Sequence, residues 1–207
     1  MLRRTKGRFL ITMLVITGLA GTFKDSSLTN QERKVAITLM KDTKSDLQKA
    51  VKGLSDAQLN FKSAPDRWSI RECVNHITLA ENNLWDMLST TMKEPAAPDK
   101  RQEVKISDED LIKSVEDRSQ KRIAAEPLQP SKATWKTTSE ALAAFKAARA
   151  DHIKYAKSTT EDMRDHFIQL PFGWIDSYQL MLLMAAHSNR HTQQINEVKA
   201  DPNFPKQ

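Results

Sequence analysis

Five histidines stand in a 207-residue chain, and two of them are spaced to share a ligand. On a helix turning about 100° per residue, Leu180, Leu183, Met184, His187, His191, Gln194 and Val198 fall on one face. His187 and His191 therefore lie in the middle of an apolar stripe that must point inward, one turn apart and close enough to reach a single ion. A third ring, His76, sits at the edge of another stripe marked by Ile70, Cys73, Val74, Ile77, Leu84 and Met87, where the small Ala80 leaves room for it. Three neutral imidazoles suit zinc, nickel or ferrous iron, and leave a coordination position open for water or substrate. The alternative is a set of hydrogen-bonded core histidines without metal. Paired rings in a core argue against it, because they are costly to bury and repel on protonation unless something compensates.

Other residues with chemistry read more plainly. Glu72 lies four positions before His76, but as the third helical residue after Ser69 it is a cap before it is a ligand or base. Cys73 reads as a small core residue under Trp68, with a metal ligand or redox thiol as the alternative. His152 follows Asp151 and His166 follows Asp165, both read as solvated. Arg190 stands beside the histidine stripe as a surface arginine, or as a group that orients an anionic substrate. No general base is evident by spacing.

These rings need helices to carry them. Glycine is scarce at 5, while Ala, Lys, Leu, Glu, Gln and Met are plentiful, which favours helix. Helix starts are legible as a Ser, Thr or Asp with Glu or Gln three residues on. Thr29 with Glu32 opens a helix to about Gly53, and Ser55 with Gln58 a short turn stapled by Leu54 and Leu59. Ser69 with Glu72 opens one to about Lys93, and Pro95 and Pro98 mark the loop after it. Ser107 starts a charged, peripheral helix to about Glu126, closed by Pro127 and Pro130. Thr138 or Ser139 starts a fourth to about Lys157, and Asp176 with Gln179 caps the last, to about Ala200 before Pro202. No stretch alternates apolar and polar with β-branched enrichment, so no sheet is expected. The pattern predicts one all-α domain, a bundle of the four long helices.

Ahead of it, Arg3, Arg4, Lys6 and Arg8 precede an apolar run from Phe9 to Ala20, too short to span a bilayer comfortably. This predicts a signal peptide over 1–20 and an exported chain, the alternative being an uncleaved N-terminal membrane anchor. Removing 1–20 takes four basic side chains and no acid, so the net charge falls from +6 to +2. The basicity is largely the leader's, and no basic stripe remains for nucleic acid. The lone Cys73 excludes an intrachain disulfide.

Two segments carry a family resemblance. Arg67-Trp68-Ser69-Ile70-Arg71-Glu72-Cys73-Val74-Asn75-His76-Ile77, followed by Glu81, resembles the first motif of the DinB-like (DinB/YfiT-like) superfamily of metalloenzymes. Ala186-His187-Ser188-Asn189-Arg190-His191-Thr192-Gln193-Gln194-Ile195 resembles its helical H-x-x-x-H motif. The resemblance covers about residues 28–205. It implies an up-down-down-up four-helix bundle and one divalent metal, zinc or nickel before iron, held at the positions of His76, His187 and His191. It also implies an enzyme of thiol-transferase or hydrolase type acting on a small molecule, since relatives include transferases of low-molecular-weight thiols. A non-catalytic, stress-related metal or small-ligand binder on the same scaffold is the alternative. A homodimer is compatible with such a scaffold. The leader departs from the family pattern, because cytosolic thiols are scarce where an exported chain ends up.

Overall fold

The computed structural model describes residues 27–206. The expected leader at 1–20 lies outside the described residues. Six α-helices follow in order: α1 (Asn30–Val51), α2 (Asp56–Asn60), α3 (Ile70–Thr91), α4 (Asp108–Glu116), α5 (Thr138–Ser158) and α6 (Ser177–Lys199). Reciprocal capping boxes open α1, α2, α3 and α6 at Thr29/Glu32, Ser55/Gln58, Ser69/Glu72 and Asp176/Gln179. In each the cap side chain satisfies one orphan amide while the acid or amide of the first turn returns to the cap's own N–H. The cap of α5 is Thr137, one residue before the expected start, and it accepts from Glu140.

The four long helices form a ring in which α1 and α3 each pack on both α5 and α6. Their directions follow from the contacts. The Tyr178 hydroxyl donates to the Glu32 carbonyl at one end, and Lys199 to the Ala50 carbonyl at the other, so α1 and α6 run parallel. Thr78 donates to the Ala141 carbonyl, while Glu81 meets Arg149 and Trp85 stacks on His152, so α3 and α5 also run parallel. Arg33, at the start of α1, donates to the Ala156 and Thr159 carbonyls at the end of α5, which sets the two pairs antiparallel. The bundle is up-down-down-up, and α4 packs on α6 outside the ring.

Two apolar clusters make the core. One centres on Met40, Leu88, Ile153, Tyr178, Met181 and Met184, the other on Leu47, Ile70, Cys73, Ile77, Phe145 and Ile195. Along each helix the boundary between them is a buried polar or charged residue: Thr43, Glu81, Arg149 and Ser188. Arg149 donates to both Glu81 oxygens at 2.7 and 2.6 Å, to Thr43 Oγ1 at 2.8 Å and to Ser188 Oγ at 3.2 Å.

Three expectations need correction. A β-hairpin is present, with β1 (Phe167–Leu170) antiparallel to β2 (Gly173–Asp176). Four-residue strands with a single β-branched side chain each are too short for an alternation test, and Gly173 at φ 128° supplies the backbone freedom for the tight return. The helix from Ser107 ends at Glu116 instead of about Glu126. From Glu116 to Arg122 every residue is charged or polar, Ile123 beyond them is 91% exposed, and the Asp117 carboxylate accepts from the backbone and hydroxyl of Ser119. His152 is buried, not solvated: its Nδ1 lies 2.7 Å from Glu81, and its ring stacks on Trp85 at 4.0 Å between centroids. His166 is half-buried, with Nδ1 3.3 Å from the Thr91 carbonyl.

Candidate metal centre

α3 and α6 run antiparallel and bring three rings to one place. The side-chain ligand atoms of His76, His187 and His191 all lie within 4.8 Å of one another, and no carboxylate or thiol belongs to the group among the described residues. Ring centroids are 5.0 Å apart for His76 and His187, 4.4 Å for His76 and His191, and 4.6 Å for the two on α6. The Nε2 atoms of His76 and His187 stand 3.2 Å apart. A tetrahedral ion with bonds of about 2.0–2.1 Å separates its ligand nitrogens by about 3.3 Å, so this pair fits one ion between them.

Burial sets the charge state. His76 and His191 are 2% and 8% exposed, and His187 is half-buried. Burial lowers the His76 pKa, partly countered by its bond to the Leu128 carbonyl. Burial also pushes His187 down to about 3, helped by the neighbouring His76, Arg190 and Arg149. His191 falls well below the ordinary value for the same first reason, with His187 and His76 adding to it. All three rings are neutral at pH 7, which is the form that ligates.

The outward nitrogens are occupied. His76 Nδ1 donates to the Leu128 carbonyl at 2.7 Å, and His191 Nδ1 to Gln194 Oε1 at 2.9 Å. Trp68 lies along His76 and His191, with centroids 4.8 and 5.8 Å away, and shields the two rings. Its position follows from the Ser69 cap, which fixes where the chain enters α3.

Around this core the other candidates sort themselves. Glu72 completes the Ser69 capping box and pairs with Lys62 at 2.8 Å. Cys73 is fully buried in the apolar cluster, and burial raises its thiol pKa. Arg190 is neither a surface arginine nor free to hold a substrate. It is 3% exposed and donates to the carbonyls of Val115, Asp117 and Gln120, fastening the segment after α4 to α6. Arg149 and Leu128 escaped the sequence reading, and His152 was given the wrong surroundings by it. Arg149 and His152 lie on the buried face of α5 with Ala141, Phe145 and Ala156, at helical spacing, but a charged residue in an apolar stripe reads as a break in it. Leu128 contributes through its backbone, which residue type does not reveal.

A four-helix bundle with a three-histidine group between two antiparallel helices defines a class of helical metal-site scaffolds. The model of the DinB superfamily matches residues 39–195, and the chain belongs to that family. It is similar to YuaE of Bacillus subtilis (strain 168), itself described as uncharacterized, with 27% identity over 150 residues, 72% of this chain and 88% of that protein. In fold it is similar to YfiT from Bacillus subtilis, described as a probable metal-dependent hydrolase with an unusual four-helix bundle topology. That likeness has a TM-score of 0.60 at 16% identity, and covers 86% of this chain and 92% of the other.

Proposed function

We propose that this chain is a divalent-metal-dependent enzyme, with His76, His187 and His191 as its three protein ligands and a small molecule as substrate. One observation carries the reading: three imidazoles, neutral at pH 7, meet with two Nε2 atoms 3.2 Å apart, while Nδ1 of two of them is tied to an acceptor. That arrangement pays desolvation for three rings, which a metal would offset and core packing alone would not.

When bound, a divalent ion supplies Lewis acidity and makes a nucleophile available from water or a thiol near neutral pH. The chain does the rest. Leu128 and Gln194 hold two ligands in the tautomer that faces inward, Trp68 shields them, and the partly open His187 marks the side of approach. Among the described residues no carboxylate belongs to the group, so the group itself supplies no carboxylate general base. Hydrolysis fits the exported location we also propose from the leader, since water is abundant there and cytosolic thiols are not; YfiT's description points the same way. No described helix is long and apolar enough to cross a membrane.

Burial of His76 and His191 favours a second reading, a non-catalytic metal binder with the same ligands. The first test is elemental analysis of protein purified without an affinity tag. About one transition metal per chain is expected, with most of it lost in His187→Ala; equal metal content in the variant would overturn both readings. Metal-loaded protein is then tried on esters, amides and thiol acceptors. Turnover of any class supports the enzyme, and none across the panel leaves the binder.

A further inference from the structure

The connection between α4 and α5 reaches the histidine group at two points, and both act on which ring nitrogen carries the proton. We propose that this segment, through the Leu128 carbonyl and the Arg118 guanidinium, fixes His76 and His191 in the tautomer whose Nε2 is free to ligate. The inference rests on the metal-site reading above and makes Arg118 and Gln194 positioning residues.

For His76 the reasoning is direct. A peptide carbonyl can only accept, so the 2.7 Å contact requires a proton on Nδ1 and leaves a lone pair on Nε2. For His191 the partner is an amide, which can present either its oxygen or its NH2 to the ring, and the two choices select opposite tautomers. Arg118 removes the ambiguity. Its guanidinium can only donate, and its Nη1 lies 3.4 Å from the same Gln194 atom that meets His191 Nδ1 at 2.9 Å. An atom facing a guanidinium must be the oxygen, so Gln194 accepts from the ring, and Nδ1 of His191 holds the proton.

The arrangement is built in. Arg118 is anchored by two bonds to Glu197, one turn beyond Gln194 on α6, at 3.0 and 2.7 Å. Arg190 fastens the same segment through the Asp117 and Gln120 carbonyls. With Arg118 gone, Gln194 can turn over, and the NH2 then facing the ring favours the proton on Nε2, where it blocks ligation.

The test uses the chain without metal and with zinc. Long-range proton–nitrogen NMR of the imidazoles reads the tautomer directly at pH 7.5. Wild type should show His191 protonated at Nδ1; Gln194→Leu and Arg118→Met should show a mixture or the opposite form. Gln194→Glu, which keeps an oxygen acceptor and an anion for Arg118, should restore it. Zinc affinity should fall about 10–100-fold in Gln194→Leu and stay within a few-fold of wild type in Gln194→Glu. Arg118→Met changes a half-buried side chain that belongs to neither apolar cluster, so it reports even if Gln194→Leu folds poorly. His191 held at Nδ1–H in both Gln194→Leu and Arg118→Met would overturn the proposal. A wild-type chain with the stated tautomers that takes up no zinc would sink the metal reading and leave the tautomer control standing.

Discussion

Replacing Glu81 by glutamine should destabilise this protein more than almost any other single-atom change. The carboxylate is 2% exposed and receives three short bonds, two from Arg149 and one from His152 Nδ1. Burial alone would raise its pKa, yet the charge and hydrogen bonds of Arg149, with those of His152, bring it below the ordinary value, so it is the anion that the fold retains. Glutamine keeps the shape and removes the charge. Arg149, fully buried, is then left without a counter-ion, and the new NH2 faces either a guanidinium or an imidazole N–H, donor against donor. Removing one partner of a buried pair costs about 3–5 kcal/mol, a large part of the roughly 5–15 kcal/mol that holds a domain together. For a domain of this size that corresponds to a fall in Tm of about 6–20 °C. The double variant Glu81→Leu/Arg149→Met removes both charges at once and should be more stable than Glu81→Gln alone, because well-packed apolar groups often replace a buried pair with little loss. Urea unfolding followed by far-ultraviolet circular dichroism supplies the three free energies. A Glu81→Gln protein within about 1 kcal/mol of wild type would refute the reasoning, as would a double variant less stable than the single one.

Acid should weaken the metal-free chain well before ordinary carboxylates titrate. His187 is held at about 3 in the fold against 6.5 for a free ring, so the unfolded chain takes up the proton first. Its contribution is complete above about pH 7, has fallen by about 2 kcal/mol at pH 5, and goes on falling until the pH reaches the folded value. Glu81 adds a further loss once the pH drops into the ordinary carboxylate range, because the unfolded carboxyl protonates there while the lowered folded pKa keeps the native one ionised. Equal urea midpoints at pH 7 and pH 5 with chelator present would contradict both the burial and the sign. Cys73, with its thiol pKa raised by burial, should be silent toward a disulfide reagent in the native chain and react only at the rate of unfolding; immediate labelling would show that it is not sealed under the helix.

What could be read from the residues depended on how local the cause was. Helix caps lie within four residues, so every long helix was found to within a few positions, and the histidine pair was legible because one helix face carries both rings. His152 and Arg190 were misread for a shared reason. Each is a polar side chain made tolerable by a partner far along the chain, Glu81 for one and the carbonyls of 115–120 for the other, and only the fold shows those partners. Asp151 beside His152 in sequence gave the wrong cue, as did the place of Arg190 at the side of the histidine stripe. The end of α4 was missed because charged residues are good helix formers, while the Asp117 turn and the bonds from Arg190 draw the backbone away from helix.

The topology explains why a loop reaches the histidines at all. Where successive long helices run antiparallel, as α1 and α3 or α5 and α6 do, one ends and the next begins at the same end of the bundle, so the connection need not travel its length. α3 and α5 run parallel, so the chain must travel back about 33 Å, the length of a 22-residue helix, before α5 can begin. That return starts at the end of α3 remote from His76, lays α4 along α6, and must finish beside the start of α3, where His76 stands. The segment passing there has Leu128 and Arg118 within reach of the rings because the up-down-down-up order leaves it no other destination. An up-down-up-down bundle with the same helices and the same three histidines would have short turns at that end, with no return segment to bring a carbonyl to His76 or a guanidinium to Gln194.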